Sequence, residues 1–168
     1  NLNEPCAYED TDWIEPQKYC GVWWEIHIGK TTWEPGPNVG ATTENVKEYI
    51  DFAAEHGIEN VFAEGWNSGW GDGDNKPDDG PFGWEDMLFT ETHDRFDFEE
   101  VTEYATEQGV SFMAHNETGS NVAGLDRFSY ESQLEDAFQL YADASIRAVK
   151  TGYVNEDGVY MDDSGVRY

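Results

Sequence analysis

The sequence predicts an α/β protein that forms part of a (β/α)8 TIM barrel, with about four consecutive β/α units and parallel strands. Four short apolar runs each end in polar or charged residues, and helical patterns separate them, as in a parallel sheet. The longer loops follow the strands and the shorter loops follow the helices, which is typical of barrels whose strand ends carry the chemistry. An open doubly wound sheet stays possible, although no GxGxxG motif follows any strand.

The four predicted strands end in residues that can take part in chemistry. They are predicted over 20–27, 60–67, 110–118 and 146–153, each bounded by glycine or polar residues. Their carboxyl ends carry four charged side chains, Glu25, Glu64, Glu117 and Lys150. Because parallel strands all end at the same edge of a sheet, we expect these side chains to lie along one rim.

Three helices are predicted between the strands. Thr42 and Thr43 are placed to cap the first, which Gly57 ends. Asp97, with a glutamate three residues later, is placed to cap the second, which Gly109 ends. The third is predicted over 129–144, with its inward face formed by Leu134, Ala137, Phe138 and Tyr141. Residues 68–96, rich in glycine and acids, are predicted to be a long loop that is functional or mobile.

The chain is strongly acidic, with 9 basic and 36 acidic side chains and a net charge of -27. This charge repels nucleic acid and anionic membrane surfaces. Aromatic residues make up 15% of the chain, which favours a folded domain over disorder, and the scarcity of lysine favours a surface adapted to molar salt over a cation store. No run of 18 apolar residues is present, and Cys6 and Cys20 are predicted to be unpaired thiols.

Glu117 is the strongest candidate for a reacting group. A carboxylate at the end of a buried strand, beside His115 and Asn116, can act as a base, a nucleophile or a metal ligand, although a solvated rim acid is the plainer interpretation. Four tryptophans also lie near the predicted strand ends, namely Trp23, Trp24, Trp66 and Trp70. Exposed aromatic faces stack on sugar rings, although core packing is commoner for tryptophan, so carbohydrate chemistry is the leading class.

Several sequence segments resemble the catalytic barrel of glycoside hydrolase family 97, and they occur along the chain in the same order as in that family. They are NLNEP at 1–5, KYCGVWWEIHIGK at 18–30, GATTENVK at 40–47, EGWN at 64–67, HNET at 115–118 and KTGYV at 150–154. The loops at 68–96 and 119–128 match less well. The resemblance implies that residues 1–168 are a fragment of a single barrel domain, without the family's flanking β-sandwich and carboxy-terminal domains.

The resemblance also implies an inverting hydrolase of α-glucosides. Glu117 matches the family's general base, in a string that is usually His-His-Glu-Thr, so that Asn116 replaces the second histidine. The retaining branch places an aspartate nucleophile where Gly152 stands here, which favours inversion. The general acid would lie outside this chain, so the isolated fragment is expected to be inactive. The alternatives are a retaining α-galactosidase of the same family and a non-catalytic truncated remnant.

The resemblance further implies the ligands and the location. The substrate would be an α-linked oligosaccharide or α-glucoside, and a calcium ion would be bound mostly by residues outside this chain, with no metal ligand within it. An extracytoplasmic or secreted location is expected, with no nucleic-acid partner and no membrane insertion. The residues expected to line the sugar site are Glu25, His27, Glu64, Trp66, Asn67, His115, Asn116 and Lys150.

Overall fold

The computed structural model describes residues 6–12, 14–70, 87–117 and 127–152, with the backbone alone for 127–131. The strands are β1 Tyr19–Val22, β2 Asn60–Ala63, β3 Asn67–Ser68, β4 Leu88–Thr92, β5 Ser111–Glu117 and β6 Val149–Gly152. The helices are α1 Trp24–His27, α2 Thr43–His56, α3 Phe98–Glu107 and α4 Arg127–Asp143. Strands and helices thus alternate along most of the described chain, as predicted.

Four of the strands form one parallel sheet in the order β1-β2-β5-β6. Gly21 pairs with Phe62, Phe62 pairs with Met113, and His115 pairs with Lys150, so the register runs across the whole sheet. The predicted parallel sheet is therefore confirmed. Among the described residues β1 and β6 are its two edge strands.

The helices cover one face of this sheet. Helix α2 packs on β1 and β2, α3 packs on β5, and α2 and α3 pack on each other. The core between sheet and helices contains Trp66, fully buried, with the rings of Phe96, Phe98, Phe112 and Tyr141 around it. Helices packed on a parallel sheet make this a mixed α/β architecture.

The predicted helix boundaries are confirmed by their caps. The Thr42 hydroxyl accepts a hydrogen bond from the Asn45 amide at 3.1 Å, and the Asp97 carboxylate accepts one from the Glu100 amide at 2.9 Å. Gly57 ends α2 with a φ of 62°, a left-handed conformation in which glycine carries no steric penalty. These signals act over three or four residues, which is why the sequence alone locates them.

The first strand is shorter than predicted. It ends at Val22, and the next residues form the short helix α1, so Glu25 and His27 do not lie on a strand. The reason is a tertiary contact: the buried Glu25 carboxylate accepts a hydrogen bond at 2.8 Å from Asn45 in α2, which a straight strand would not allow. Trp23 and Trp24 are both exposed, instead of lying on opposite faces of a strand.

Two further predictions differ from the structure. The predicted loop at 68–96 contains strand β4, which pairs antiparallel with β3. Gln133 of α4 fastens this hairpin, because its side chain accepts from the Phe89 amide at 3.0 Å and donates to the Met87 carbonyl at 3.1 Å. Residues 71–86 of that loop lie outside the described part. On α4, Ala137 and Tyr141 are buried as predicted, whereas Phe138 is 48% exposed.

Two predictions drawn from composition can also be compared with the structure. Cys6 is exposed, Cys20 is half-buried, and both thiols are free, as predicted. Burial raises the pKa of the Cys20 thiol. Within the described residues, none of the helices combines the length and apolar character needed to cross a bilayer.

Candidate active site

Four of the predicted residues meet on the face of the sheet opposite the helices. His115 and Glu117 are two apart in β5, so they share a face, and Lys150 lies beside His115 in the register. The His115 Nε2 atom lies 3.6 Å from Oε1 of Glu64 and 3.9 Å from Oε2 of Glu117, and the Lys150 Nζ atom lies 3.3 Å from Oε1 of Glu64. We call Glu64, His115, Glu117 and Lys150 the strand-end cluster.

His115 is a neutral, buried base at the centre of this cluster. Its side chain is fully buried, and burial, followed by the charge of Lys150, lowers its pKa to about 3. Neither ring nitrogen has a hydrogen-bond partner within the part of the chain that the structure describes. The Trp70 and Phe62 rings lie 6.2 Å from the imidazole ring, centroid to centroid. The imidazole therefore has a free donor and a free acceptor among these residues, both of which suit a hydroxyl-rich ligand.

His115 predicts a pH dependence of stability. Its pKa is 6.5 when unperturbed and about 3 in the fold, so as the pH falls the unfolded state takes up the proton first. Stability from this residue is complete above pH 6.5 and is lost progressively toward pH 3, by about 3 kcal/mol between pH 7 and pH 4. We expect His115→Gln to weaken the pH dependence of the free energy of unfolding between pH 7 and pH 4, measured by urea titration at each pH. The exposed control His56→Gln should keep the wild-type slope, and parallel curves for all three proteins would contradict the assignment.

Glu64 connects the strand-end cluster to the loop that follows β1. Its Oε2 atom accepts a hydrogen bond from Trp33 Nε1 at 3.0 Å, and Lys150 donates to Oε1. Gly65 has a φ of 84°, and a Cβ atom there would lie 3.1 Å from the Trp33 carbonyl oxygen. This glycine therefore lets the loop that carries Trp33 approach the end of β2 closely. Sequence reasoning missed Trp33, because a tryptophan in a proline-rich loop carries no periodic signal.

Trp66 and Asn116, both predicted to line the sugar site, lie on the helix side of the sheet instead. Trp66 is fully buried in the core and donates its indole N–H to the His115 carbonyl oxygen at 2.9 Å. Asn116 is also fully buried and lies 2.7 Å from the Tyr141 hydroxyl of α4. The structure therefore gives both residues packing and anchoring contacts. Side chains alternate between the two faces of a strand, so the sequence already contained the signal that Asn116 faces away from His115 and Glu117.

The amide of Asn116 completes a buried hydrogen-bond chain. The Tyr141 hydroxyl lies 2.7 Å from the Asn116 amide and 3.2 Å from the Phe89 carbonyl oxygen, but a hydroxyl has only one proton to donate. With the Oδ1 atom toward Tyr141, the Asn116 Nδ2 atom has no partner among the described residues. With Nδ2 toward Tyr141, the amide donates to the hydroxyl and the hydroxyl donates to Phe89. We assign this second orientation, because the hydroxyl then has both a donor and an acceptor, and only the amide oxygen takes the position that has no partner among the described residues.

This chain predicts the effect of Tyr141→Phe. The change keeps the ring but leaves the Asn116 amide and the Phe89 carbonyl without the hydroxyl, and a buried polar group that loses its partner costs about 1–3 kcal/mol. We expect the free energy of unfolding to fall by that amount in a urea titration. The matched control is Tyr104→Phe, whose hydroxyl donates to Asp51 at an exposed position, and it should lose less. Equal losses would contradict the role of the buried chain.

The other three predicted residues lie outside the strand-end cluster. Glu25 is buried at the base of α1, where it accepts from Asn45 and lies 3.5 Å from the Lys30 ammonium. His27 is exposed on α1. Asn67 stabilises the β3–β4 hairpin: its Nδ2 atom donates to the Leu88 carbonyl at 3.0 Å, and its Oδ1 atom accepts from Trp70 at 2.9 Å. Their binding roles stay predictions; Trp70, which donates to Asn67, has its ring 6.2 Å from the His115 ring, centroid to centroid.

The described residues do not form a metal site by themselves. None of the His, Cys, Asp and Glu side chains within the described ranges form a group of three or more that could hold a metal ion. In the strand-end cluster, Trp33 and Lys150 already occupy the oxygens of Glu64, and the Lys150 charge opposes a cation. The calcium ion implied by the resemblance would therefore need ligands from outside these residues.

Comparisons with known proteins identify relatives of this chain. A family model described as Glycoside hydrolase 97 matches residues 23–167. Two structures of a family 97 enzyme from Pseudoalteromonas sp., one with acarbose and one of a variant with panose, superpose with a TM-score of 0.80. Each is 40% identical in sequence to this chain, and the match covers 98% of this chain and 24% of the Pseudoalteromonas chain.

A curated relative, the retaining alpha-galactosidase of Bacteroides thetaiotaomicron, is 25% identical over 162 residues. That match covers 95% of this chain and 20% of the relative, so the chain spans about a fifth of its length. The family match covers most of the sequence and includes all four residues of the strand-end cluster. The chain belongs to glycoside hydrolase family 97.

Proposed function

We propose that this chain supplies the general base of an inverting glycoside hydrolase that acts on α-glucosides. The observation that carries the proposal is the register at the ends of β5 and β6, where Glu117 pairs with Gly152. A retaining enzyme needs a nucleophilic side chain as well as an acid, and glycine offers none at the strand end beside Glu117. Glu117 remains the carboxylate that is best placed to activate water.

The geometry of inversion also explains why one carboxylate is not enough. The base and the acid stand roughly 6.5–9.5 Å apart, so that water fits between the base and the sugar. Glu117 would take the proton from that water, and the acid would protonate the leaving oxygen on the opposite face of the sugar. Glu64 is a poor candidate for the acid, because Trp33 and Lys150 already donate hydrogen bonds to both of its carboxylate oxygens. We therefore place the acid on another strand of a complete (β/α)8 barrel.

Three observations support an uncharged α-glucoside as the substrate. The related Pseudoalteromonas enzyme binds acarbose and panose, which are oligosaccharides. The net charge of -27 disfavours anionic ligands, and it also fits a salt-adapted enzyme. The partly exposed Lys150 ammonium offers a donor that suits sugar hydroxyls. Calcium and an extracytoplasmic location follow from the family resemblance alone, and no step of the proposed mechanism depends on them.

The anomer of the first product tests the mechanism. We expect the full-length protein to release β-glucose first from maltotriose, observed by proton NMR before mutarotation equilibrates the sugars. Release of α-glucose would overturn inversion. We expect the 168 residues alone to be inactive, because β1 and β6 are edge strands among the described residues, and these residues offer no second carboxylate suited to be the acid. Turnover by this isolated chain would contradict that expectation.

A retaining α-galactosidase is the second candidate, and the Bacteroides thetaiotaomicron relative favours it. It predicts turnover of α-galactosides in preference to α-glucosides, with α-galactose as the first product. A non-catalytic remnant is the third candidate and predicts no turnover of either sugar. The same NMR experiment, run on matched glucosides and galactosides, separates all three.

A further inference from the structure

The loop between α1 and α2 is ordered by hydrogen bonds between its own two arms. The Thr32 amide donates to the Asn38 carbonyl at 3.0 Å, and the Gly40 amide donates to the Thr32 carbonyl at 2.9 Å. We call residues 31–40 the Trp33 loop. Because its two arms are paired, a contact that fixes the tip of the loop also restrains Trp33, which follows Thr32 directly.

Arg95, in the turn between β4 and α3, binds the tip of this loop. Its Nη1 atom donates to the Gly36 carbonyl at 2.9 Å and to the Pro37 carbonyl at 3.1 Å. The Arg95 backbone is itself fixed, because its amide donates to the buried His93 imidazole at 3.2 Å and its carbonyl accepts from the Thr43 amide at 3.1 Å. The chain has only 9 basic side chains against 36 acidic ones, and it uses this one to hold backbone carbonyls. Hydrogen bonds from a charged donor are stronger than neutral ones, so Arg95 restrains the tip.

Trp33 connects the restrained loop to the strand-end cluster. Its indole N–H donates to Oε2 of Glu64 at 3.0 Å, and the Lys150 ammonium lies 3.3 Å from Oε1 of the same carboxylate. The two donors together fix the plane of the carboxylate, since each holds one of its oxygens. The Glu64 side chain is 9% exposed and that of Lys150 is 28% exposed, so the ammonium is the part of this pair that a ligand can reach. A shift of Trp33 would release one oxygen of Glu64 and, with it, the orientation of the ammonium.

We propose that Arg95 is a positioning residue for sugar binding by Lys150. It holds the Trp33 loop so that Trp33 keeps the Glu64 carboxylate in the orientation that binds the Lys150 ammonium. This inference rests on the proposed function, which gives Lys150 the contact with a sugar hydroxyl. A site that is ordered before binding loses little conformational entropy when the sugar arrives. Loss of Arg95 should therefore weaken binding without slowing the proton transfer at Glu117.

Three variants of the full-length protein test this role. Arg95→Met keeps the stem of the side chain but removes its donors, and it should raise KM for maltotriose about 3- to 10-fold while kcat stays within about twofold. Arg95→Lys should restore most of the wild-type KM, because both carbonyls accept from one nitrogen, which an ammonium can replace. Arg147→Met is the matched control: it removes the same charge from an exposed arginine before β6 and should leave both constants unchanged.

The combination of Arg95→Met with Trp33→Phe tests the route of the effect. Trp33→Phe keeps an aromatic ring but removes the indole donor to Glu64, and it should raise KM by a similar factor. Because Arg95 acts through Trp33, the double variant should have nearly the KM of Trp33→Phe alone. Two factors that multiply would show that the two residues act independently, and would overturn the proposal.

Hydrogen–deuterium exchange, followed by mass spectrometry, examines the loop without substrate. Peptides that contain the Thr32 and Gly40 amides should exchange about 3- to 10-fold faster in Arg95→Met than in the wild type or in Arg147→Met. Equal exchange would overturn the proposal, as would faster exchange with an unchanged KM. A fall in kcat that accompanies a lower thermal midpoint would give Arg95 a purely structural role, and would overturn it as well.

The wild-type protein decides whether the proposed function or the positioning role has failed. If it hydrolyses neither α-glucosides nor α-galactosides, the proposed function fails, and calorimetric titration with maltotriose then replaces the kinetics. A Kd about 3- to 10-fold weaker in Arg95→Met, with the wild-type Kd in Arg147→Met, supports the positioning role. Equal Kd values, or an absence of binding by the wild type, overturn it.

Discussion

Glu117→Gln should lower kcat for maltotriose about 10²- to 10⁴-fold in the full-length protein and leave KM close to the wild-type value. The amide has nearly the shape of the carboxylate but cannot accept the proton of the attacking water, and a general base contributes a factor of this size. Glu117 is only 3% exposed, so the loss will not be made up by bulk water or buffer acting as the base. Steady-state kinetics with maltotriose measure both constants.

Two controls make this prediction specific. Glu55→Gln removes an exposed carboxylate from α2 and should leave both constants unchanged. The thermal unfolding midpoint of Glu117→Gln should also match that of the wild type, which separates lost chemistry from lost folding. A variant that keeps its fold and more than a tenth of its turnover would rule out Glu117 as the base, and the search would move to carboxylates on other strands.

Gly21→Ala should prevent folding or lower the free energy of unfolding by more than about 4 kcal/mol, a loss that only severe packing conflicts produce. Gly21 lies in β1 and pairs with Phe62, and an added Cβ atom would lie 1.8 Å from the Phe62 carbonyl oxygen. Because that oxygen belongs to the backbone of the next strand, a side-chain rotation cannot relieve the clash. Far-UV circular dichroism with urea titration measures the effect.

Gly36→Ala is the control for this change. A Cβ atom at Gly36 would meet nothing within 4 Å in the described structure, and this glycine lies in the loop before α2. We expect a change within about 1 kcal/mol, the usual range for a glycine-to-alanine exchange where the backbone conformation is permitted. Equal behaviour of the two variants would contradict the close contact between β1 and β2.

The features that could be predicted from sequence depend on short-range signals. Helix caps such as Thr42 and Asp97 act within one turn, and the apolar runs of β2 and β5 are buried in the core, so both were located correctly. The end of β1 was misplaced because Glu25 turns inward to meet Asn45, and a contact between positions 20 residues apart leaves no local pattern. Strand β4 was missed because the glycines and prolines around it outweighed a short alternating run.

Which candidate residues lie close together could be predicted only in part, for a related reason. Glu64, His115, Glu117 and Lys150 lie at ends of neighbouring strands, and the topology alone brings such ends together. Asn116 was grouped with its neighbours in sequence, although adjacent residues of a strand face opposite sides. Trp33 was missed because its approach to Glu64 depends on Gly65, a long-range fit between a loop and a strand end.

The distribution of the tryptophans gives this protein separate optical signals from its surface and from its core. Trp66 and Trp70 are at most 4% exposed and should emit at short wavelengths, whereas Trp23 and Trp24 face water and should emit at longer ones. Of these four, a neutral quencher such as acrylamide will reach the second pair, while iodide will be held back by the acidic surface until salt is added. Fluorescence from one unlabelled protein can thus follow the exposed rings and the core separately during a single titration.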